Sequence, residues 1–218
     1  MLSFRLYNRI ISMIGIIGET CAEFYPADLE MEEDELFSYA LGGTAIEAAS
    51  ELTDNGIDDF LIITKLSRDN IGLDTLDMLS DIEWAVSDLE SSPLLSPVDI
   101  MGDIRLRGTA ASAIGTEELS ELLSDVKPDA LILTAPLLSV NPSASAIVDS
   151  VAFMSPQPTV IVDLGTDSRE IISMEILKDS LNALASSVES SFCVGDVVTS
   201  KMKVISRENA LAKLKTLG

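Results

Sequence analysis

The sequence predicts an α/β fold in which a mostly parallel sheet lies between two helical layers. Three observations predict it. Apolar runs of strand length recur at Ile10 to Gly18, Asp59 to Lys65, Ala130 to Thr134 and Thr159 to Asp163. They are continuous rather than alternating, the pattern of strands buried on both faces. Helix-length segments separate them by short connections, and strands spaced by helices make parallel crossovers.

The elements follow in order. After the first strand, Ala22 to Ala40 is acidic and irregular, with Phe24, Tyr25, Leu36, Phe37 and Tyr39 interspersed. Gly42-Gly43 leads into a small-residue helix from Thr44 to about Thr53, and Asn55-Gly56 stops it. Asp59 to Lys65 is the next strand and Ile71 to Leu79 the next helix, with Asp69 as its cap. Ile82 to Val86 reads as a short strand. Pro93 to Arg107, in which Val98, Ile100, Ile104 and Leu106 alternate, reads as extended ribbon.

Thr116 opens a helix with Glu118 and Glu121 near its start, a capping pattern. Ala130 to Thr134 is a strand, Ser143 to Phe153 a helix, Thr159 to Asp163 a strand and Ser168 to Ser187 one or two helices. Asp196 to Thr199 is the expected last strand and Ser206 to Leu217 the last helix. No internal repeat or low-complexity linker interrupts the series. A length of 218 residues with 47% hydrophobic content predicts one packed domain over 1–218.

Thirty-six acids against fourteen Lys and Arg give a formal charge of −22, which opposes binding to nucleic-acid phosphates or an anionic membrane. Lys201, Lys203, Arg207, Lys213 and Lys215 make the tail locally basic. It either docks on acidic surface or forms a helix with a solvated basic face. Histidine is absent, which excludes a His base, a Ser-His-Asp triad and a His-bound metal. Cys21 and Cys193 are too few for a disulfide scaffold or zinc site and read as buried hydrophobes in a cytoplasmic protein. Arg5 and Arg9 precede a short apolar run, but that run coincides with the first strand and is too short to span a bilayer.

Two nucleotide readings find no support. The first strand ends in Gly15-x-x-Gly18 without G-x-G-x-x-G spacing, and Glu19 would put negative charge where a pyrophosphate meets helix amides. A Walker-type G-x-x-x-x-G-K-[ST] segment is also missing.

The order of motifs resembles the PfkB family of carbohydrate kinases, which have the ribokinase-like fold. Ile14-Gly15-Ile16-Ile17-Gly18-Glu19 is similar to the family's first strand, and Glu23 stands where the family has a sugar-binding aspartate. Gly42, Gly43 and Ala49 match Gly-Gly-x-x-x-Asn-x-Ala, with Glu47 at the asparagine position. Asp69 and Gly72 match the family's Asp-x-x-Gly. Asp163 and Arg169 resemble Asp-x-Asn-x-Arg with two more residues between them. The likeness begins at Met13, so Met1 to Ser12 is expected to be an extension or a misassigned start.

The resemblance implies a three-layer α/β/α sandwich with a small β lid, its segments near residues 22–40 and 93–110. It implies a small sugar as ligand, ATP and Mg2+ as cofactors of an active kinase, and a possible homodimer through the lid. Gly42 and Gly43 would let the sugar approach the backbone, or only make a tight turn. Glu23 would accept sugar hydroxyls or be a lid-surface carboxylate; Glu47 would be a second acceptor or a solvent-facing residue. Arg169 would touch substrate or form a surface ion pair.

The family's catalytic Gly-Ala-Gly-Asp segment, whose amides hold the transferring phosphate, has one possible counterpart, Cys193-Val194-Gly195-Asp196. The resemblance thus implies either a sugar kinase or a noncatalytic homologue that binds sugar or assembles. The chain is expected to lack the family's C-terminal ATP-binding and catalytic part.

Overall fold

The computed structural model describes residues 13–26, 37–82, 85–89, 94–100, 103–165, 171–195 and 200–217. Strands β1 (Ile14–Ile17), β4 (Phe60–Thr64), β5 (Ala85–Asp88), β8 (Ala130–Thr134), β9 (Thr159–Asp163), β10 (Ser191–Val194) and β11 (Lys203–Val204) form one sheet. Their spatial order is β11, β10, β9, β8, β1, β4, β5, and every neighbouring pair is parallel. The chain builds outward from β1 to β4 and β5, then returns to β8 and builds the other way. The strand order therefore reverses between β1 and β8, and the carboxyl ends of strands at such a reversal form a crevice for ligands.

Residue alternation divides the core between two faces of this sheet. Ile14, Ile16, Phe60, Ile62, Ile132 and Ile161 meet α1 (Thr44–Asp54) through Ala45, Ala48, Ala49 and Leu52, and α7 (Arg207–Lys215) through Ala210 and Leu214. Ile17, Leu61, Ile63, Leu131, Leu133, Val160 and Val162 face the opposite way. There they meet α3 (Thr116–Val126), α5 (Ser143–Ala152) and α6 (Met174–Ser187). This is the three-layer α/β/α arrangement expected from the continuous apolar strands.

A second, mixed sheet stands apart from the first. Strand β2 (Cys21–Pro26) pairs antiparallel with β3 (Phe37–Gly42) and parallel with β6 (Val98–Ile100), which pairs antiparallel with β7 (Asp103–Arg105). Its strands come from the two segments expected to form the lid. Helix α2 (Asn70–Ser80) packs against β2 and β3.

Several boundaries differ from the sequence reading. Within the stretch expected to be irregular, residues 22–26 and 37–40 are regular strands, because β2 and β3 satisfy each other's backbone groups. The short strand expected at Ile82 to Val86 begins at Ala85 and runs to Asp88, where β4 offers a parallel partner. The helix expected from Ser168 is described from Met174, capped by the Ser173 hydroxyl. A short helix α4 (Ala135–Leu138), with Pro136 in its first turn, was not expected. Strands β10 and β11 were missed. The strand expected at Asp196 to Thr199 lies outside the described residues.

Candidate functional site

The crevice at the reversal point is closed at its base by tight packing. A methyl group on Gly18 would lie 2.8 Å from Thr134 Cγ2 and 2.9 Å from Ala45 Cβ, so glycine lets α1 and β8 approach the end of β1. The next residue, Glu19, is fully buried. Its Oε1 accepts the Thr44 N–H at 3.1 Å and the Thr44 hydroxyl at 2.6 Å, and its Oε2 accepts the Thr134 hydroxyl at 3.2 Å. One carboxyl group thus ties together the reversal point and the start of α1. Burial pushes its pKa up, against the downward pull of hydrogen bonds from Thr44, its own backbone and Thr134.

The paired glycines make room for the chain's own groups. Gly43 has φ 99°, and a methyl there would lie 2.6 Å from the Glu19 carbonyl, which accepts the Ala45 N–H at 3.2 Å. A methyl on Gly42 would overlap the Glu23 carboxyl group, which lies across it. From there Glu23 Oε1 accepts the Gly43 N–H at 3.3 Å. The first amides of α1 are therefore taken by carboxylates and a carbonyl.

Glu47, in the first turn of α1, is exposed. Its pKa is pushed up by partial desolvation and by the charges of Glu23, Asp163 and Asp99, while Arg207 opposes the rise. One turn later, Glu51 Oε2 accepts Arg207 Nη1 at 2.8 Å. Arg207 Nη2 also lies 3.6 Å from Asp163 Oδ1, which accepts the Gly165 N–H at 3.0 Å. Tail docking on acidic surface thus occurs at Arg207, and Lys213 and Lys215 sit in the last turn of α7.

Glu23, Gly42, Gly43 and Glu47 accordingly gather around the start of α1 at the carboxyl edge of the main sheet. Arg169 and Asp196 lie outside the described residues. Sequence reasoning missed Thr44, Thr134, Glu51 and Arg207. Thr134 carried a legible signal, a hydroxyl at the carboxyl end of a buried strand; Glu51 carried another, its spacing of one helical turn from Glu47.

Asp69 serves the scaffold instead. Its Oδ1 accepts the Gly72 N–H at 2.7 Å and the Ser96 hydroxyl at 2.8 Å, and its Oδ2 accepts the Ser96 N–H at 2.8 Å. It thereby caps α2 and holds the segment entering β6.

The donors and acceptors of this edge suit hydroxyl groups, which carboxylates accept readily. They do not suit phosphate, because the α1 amides are satisfied and Glu19 and Glu23 stand where a phosphate would approach. Among the described residues, no group of three or more His, Cys, Asp and Glu side chains is arranged to hold a metal ion. None of the described helices is long and apolar enough to cross a membrane.

No family model matches the chain, and no curated protein matches it in sequence. Its structure is similar to that of a fructokinase with bound ATP from Xylella fastidiosa, with a TM-score of 0.67 and 12% identity. That match covers 85% of this chain and 61% of the other. An aminoimidazole riboside kinase from Salmonella enterica, complexed with aminoimidazole riboside and an ATP analog, matches with a TM-score of 0.61 and 15% identity over 94% and 68% of the two chains. A PfkB protein from Polaromonas sp. JS666 matches with a TM-score of 0.59 and 19% identity over 84% and 65%. The chain therefore has the ribokinase-like fold of the PfkB sugar kinases, and it spans about three fifths to two thirds of the length of these structures.

Proposed function

We propose that this chain is a carbohydrate-kinase-like protein whose carboxyl edge binds a small sugar. One observation carries the reading: Glu23 is held over Gly42 and against the Gly43 amide, at the edge where the strand order reverses. Its carboxylate is positioned before a ligand arrives, which lowers the ordering cost of binding. Glu47 supplies a second acceptor on the same side of α1, and Gly42 and Gly43 serve by placing Glu23 rather than by contacting the sugar.

In an active kinase, ATP with Mg2+ would supply the phosphoryl group. The amides at the start of α1 are taken, and among the described residues no group of three or more His, Cys, Asp and Glu side chains is arranged to hold a metal ion. A second reading, suggested by Glu23 and Glu47 at the two positions where the family has aspartate and asparagine, is a homologue that binds sugar without transferring phosphate. Arg169 is proposed as a further sugar contact and Asp196 as the base of the active case. The lid sheet is proposed as the face of a homodimer.

Calorimetry against a panel of fructose, ribose, nucleosides and sugar acids, each with and without MgATP, tests the site. Binding of one sugar that weakens at least about tenfold in Glu23→Gln, the loss of one charge-assisted hydrogen bond, supports it. Silence of the wild-type chain across the panel overturns it. Phosphate transfer to the bound sugar, lost in Asp196→Ala, selects the kinase; sugar binding indifferent to MgATP selects the homologue.

A further inference from the structure

We propose that Arg207 is a positioning residue of the candidate site: its guanidinium clamps Asp163 and Glu51 and through them sets the electrostatic field in which Glu47 meets a ligand. The inference rests on the sugar-binding reading for the ligand, but its geometry stands independently. Arg207 reaches from the first turn of α7 to Glu51 on α1 at 2.8 Å and to Asp163 at the end of β9 at 3.6 Å. It is the contact through which three separate elements share one cation.

Arg207 does not itself line a sugar-sized space. The cleft it shares with Glu51, Asp163, Leu52 and Ala210 measures about 40 Å³, enough for a water molecule. Nor does α7 depend on it for its seat. Ala210 and Leu214 are buried in the core, Ser206 caps the helix by accepting the Asn209 N–H, and the Lys213 ammonium lies 4.4 Å from the centre of the Phe192 ring.

What Arg207 governs is charge. Glu47 and Glu51 lie one turn apart on α1, where like charges repel. Glu23 on β2, Asp163 on β9 and Asp99 on β6 add their charges to the field at Glu47. Among the described residues, Arg207 opposes the charge of these carboxylates at Glu47. Its planar fork reaches two acceptors together, a geometry a lysine ammonium does not reproduce. With the clamp in place, Glu47 stays ionised, and able to accept two or more hydroxyls, to lower pH than without it.

The test uses the full chain labelled with 13C at glutamate. The Glu47 carboxyl resonance, assigned with Glu47→Gln, is followed through a pH titration in wild type, Arg207→Gln and Arg207→Lys. Arg207→Gln is expected to raise the Glu47 midpoint, and Arg207→Lys, which keeps the charge without the fork, to restore only part of the wild-type value, while all thermal midpoints stay close together. An unchanged Glu47 midpoint in Arg207→Gln overturns the proposal. So does unfolding of that variant, because it would place Arg207 in the scaffold. D-fructose and the other sugars of the panel, added to the wild type, read the underlying assumption separately: if none binds, the sugar-binding reading fails, while the Glu47 comparison still decides what Arg207 does.

Discussion

Gly42 and Glu23 occupy one space: the Glu23 carboxyl group lies where a side chain on Gly42 would stand, and from there it accepts the Gly43 amide. The two glycines differ in what presses on them. Gly42 meets the movable end of a side chain, whereas Gly43 combines φ 99° with contact to the Glu19 backbone carbonyl. Gly42→Ala is expected to cost less than about 1 kcal/mol of stability, since Glu23 can rotate away, but to weaken sugar binding as strongly as Glu23→Gln does. Gly43→Ala is expected to cost about 3 kcal/mol, because neither backbone nor φ can yield. Urea unfolding of the two variants beside calorimetry separates these outcomes.

Glu19 predicts an unusual pH dependence. Burial raises its folded-state pKa above the ordinary 4.5. The group therefore holds its proton more tightly when folded, and the stability this gives is full below 4.5 and lost as pH rises through the raised value. Glu19→Gln keeps an acceptor for Thr44 and can donate to the Thr134 hydroxyl, without the charge. Relative to wild type, the variant should gain stability as pH rises above the ordinary 4.5, measured by urea unfolding over a series of pH values. A constant difference between the two proteins across the series would count against a buried ionising group there.

Asp69 behaves in the opposite sense. Desolvation is the largest single influence on it and pulls its pKa up, but bonds from Ser96, Gly72 and Ser67 together outweigh it and leave the pKa below the ordinary 3.8. Its contribution is full above 3.8 and fades as pH falls through the lowered value. Asp69→Ala removes a helix cap and the hold on Ser96, and should cost about 2–3 kcal/mol at neutral pH. The deficit should shrink in acid, and hydrogen exchange should rise at Gly72 and Ser96.

Lys65 and Glu118 form an ion pair at the end of β4, with side chains only 9% and 18% exposed. Asp88 stands nearby, its pKa raised by desolvation and by Glu118, while the Leu66 amide and Lys65 oppose the rise. Lys65→Ala leaves these carboxylates without their cation and should cost about 3 kcal/mol. Lys65→Met with Glu118→Gln should recover most of that loss, since the side-chain amide oxygen introduced by the second substitution would still accept the Gly115 N–H. Failure of the double variant to recover stability would show that packing rather than charge dominates.

Much of the fold was legible because burial on both faces leaves a local signature. Runs such as Phe60 to Thr64 and Ala130 to Thr134 are apolar without interruption, and their ends fall within a residue or so of the expectation. Strand β11 is two residues long with both exposed, so no apolar run announces it. Of the candidate site, Glu23, Gly42, Gly43 and Glu47 were legible through motif spacing. Arg207 was not, for it lies 156 residues from Glu51 in the chain, and although Thr134 ends a buried strand, its meeting with Glu19, 115 residues away, was not legible either.

The sequence by itself determined the alternation of strands and helices, the absence of histidine chemistry, the acidic charge and the glycine pair, all properties of neighbouring residues or of composition. The tertiary structure decided what the glycines are for. Only when β2 returns beside β3 does Glu23 come to lie over Gly42, and only when β8 enters beside β1 does Thr134 reach Glu19. Local sequence specifies which conformations are open to each segment. Close packing of segments distant in the chain fixes which polar groups meet, because each buried one must find a partner.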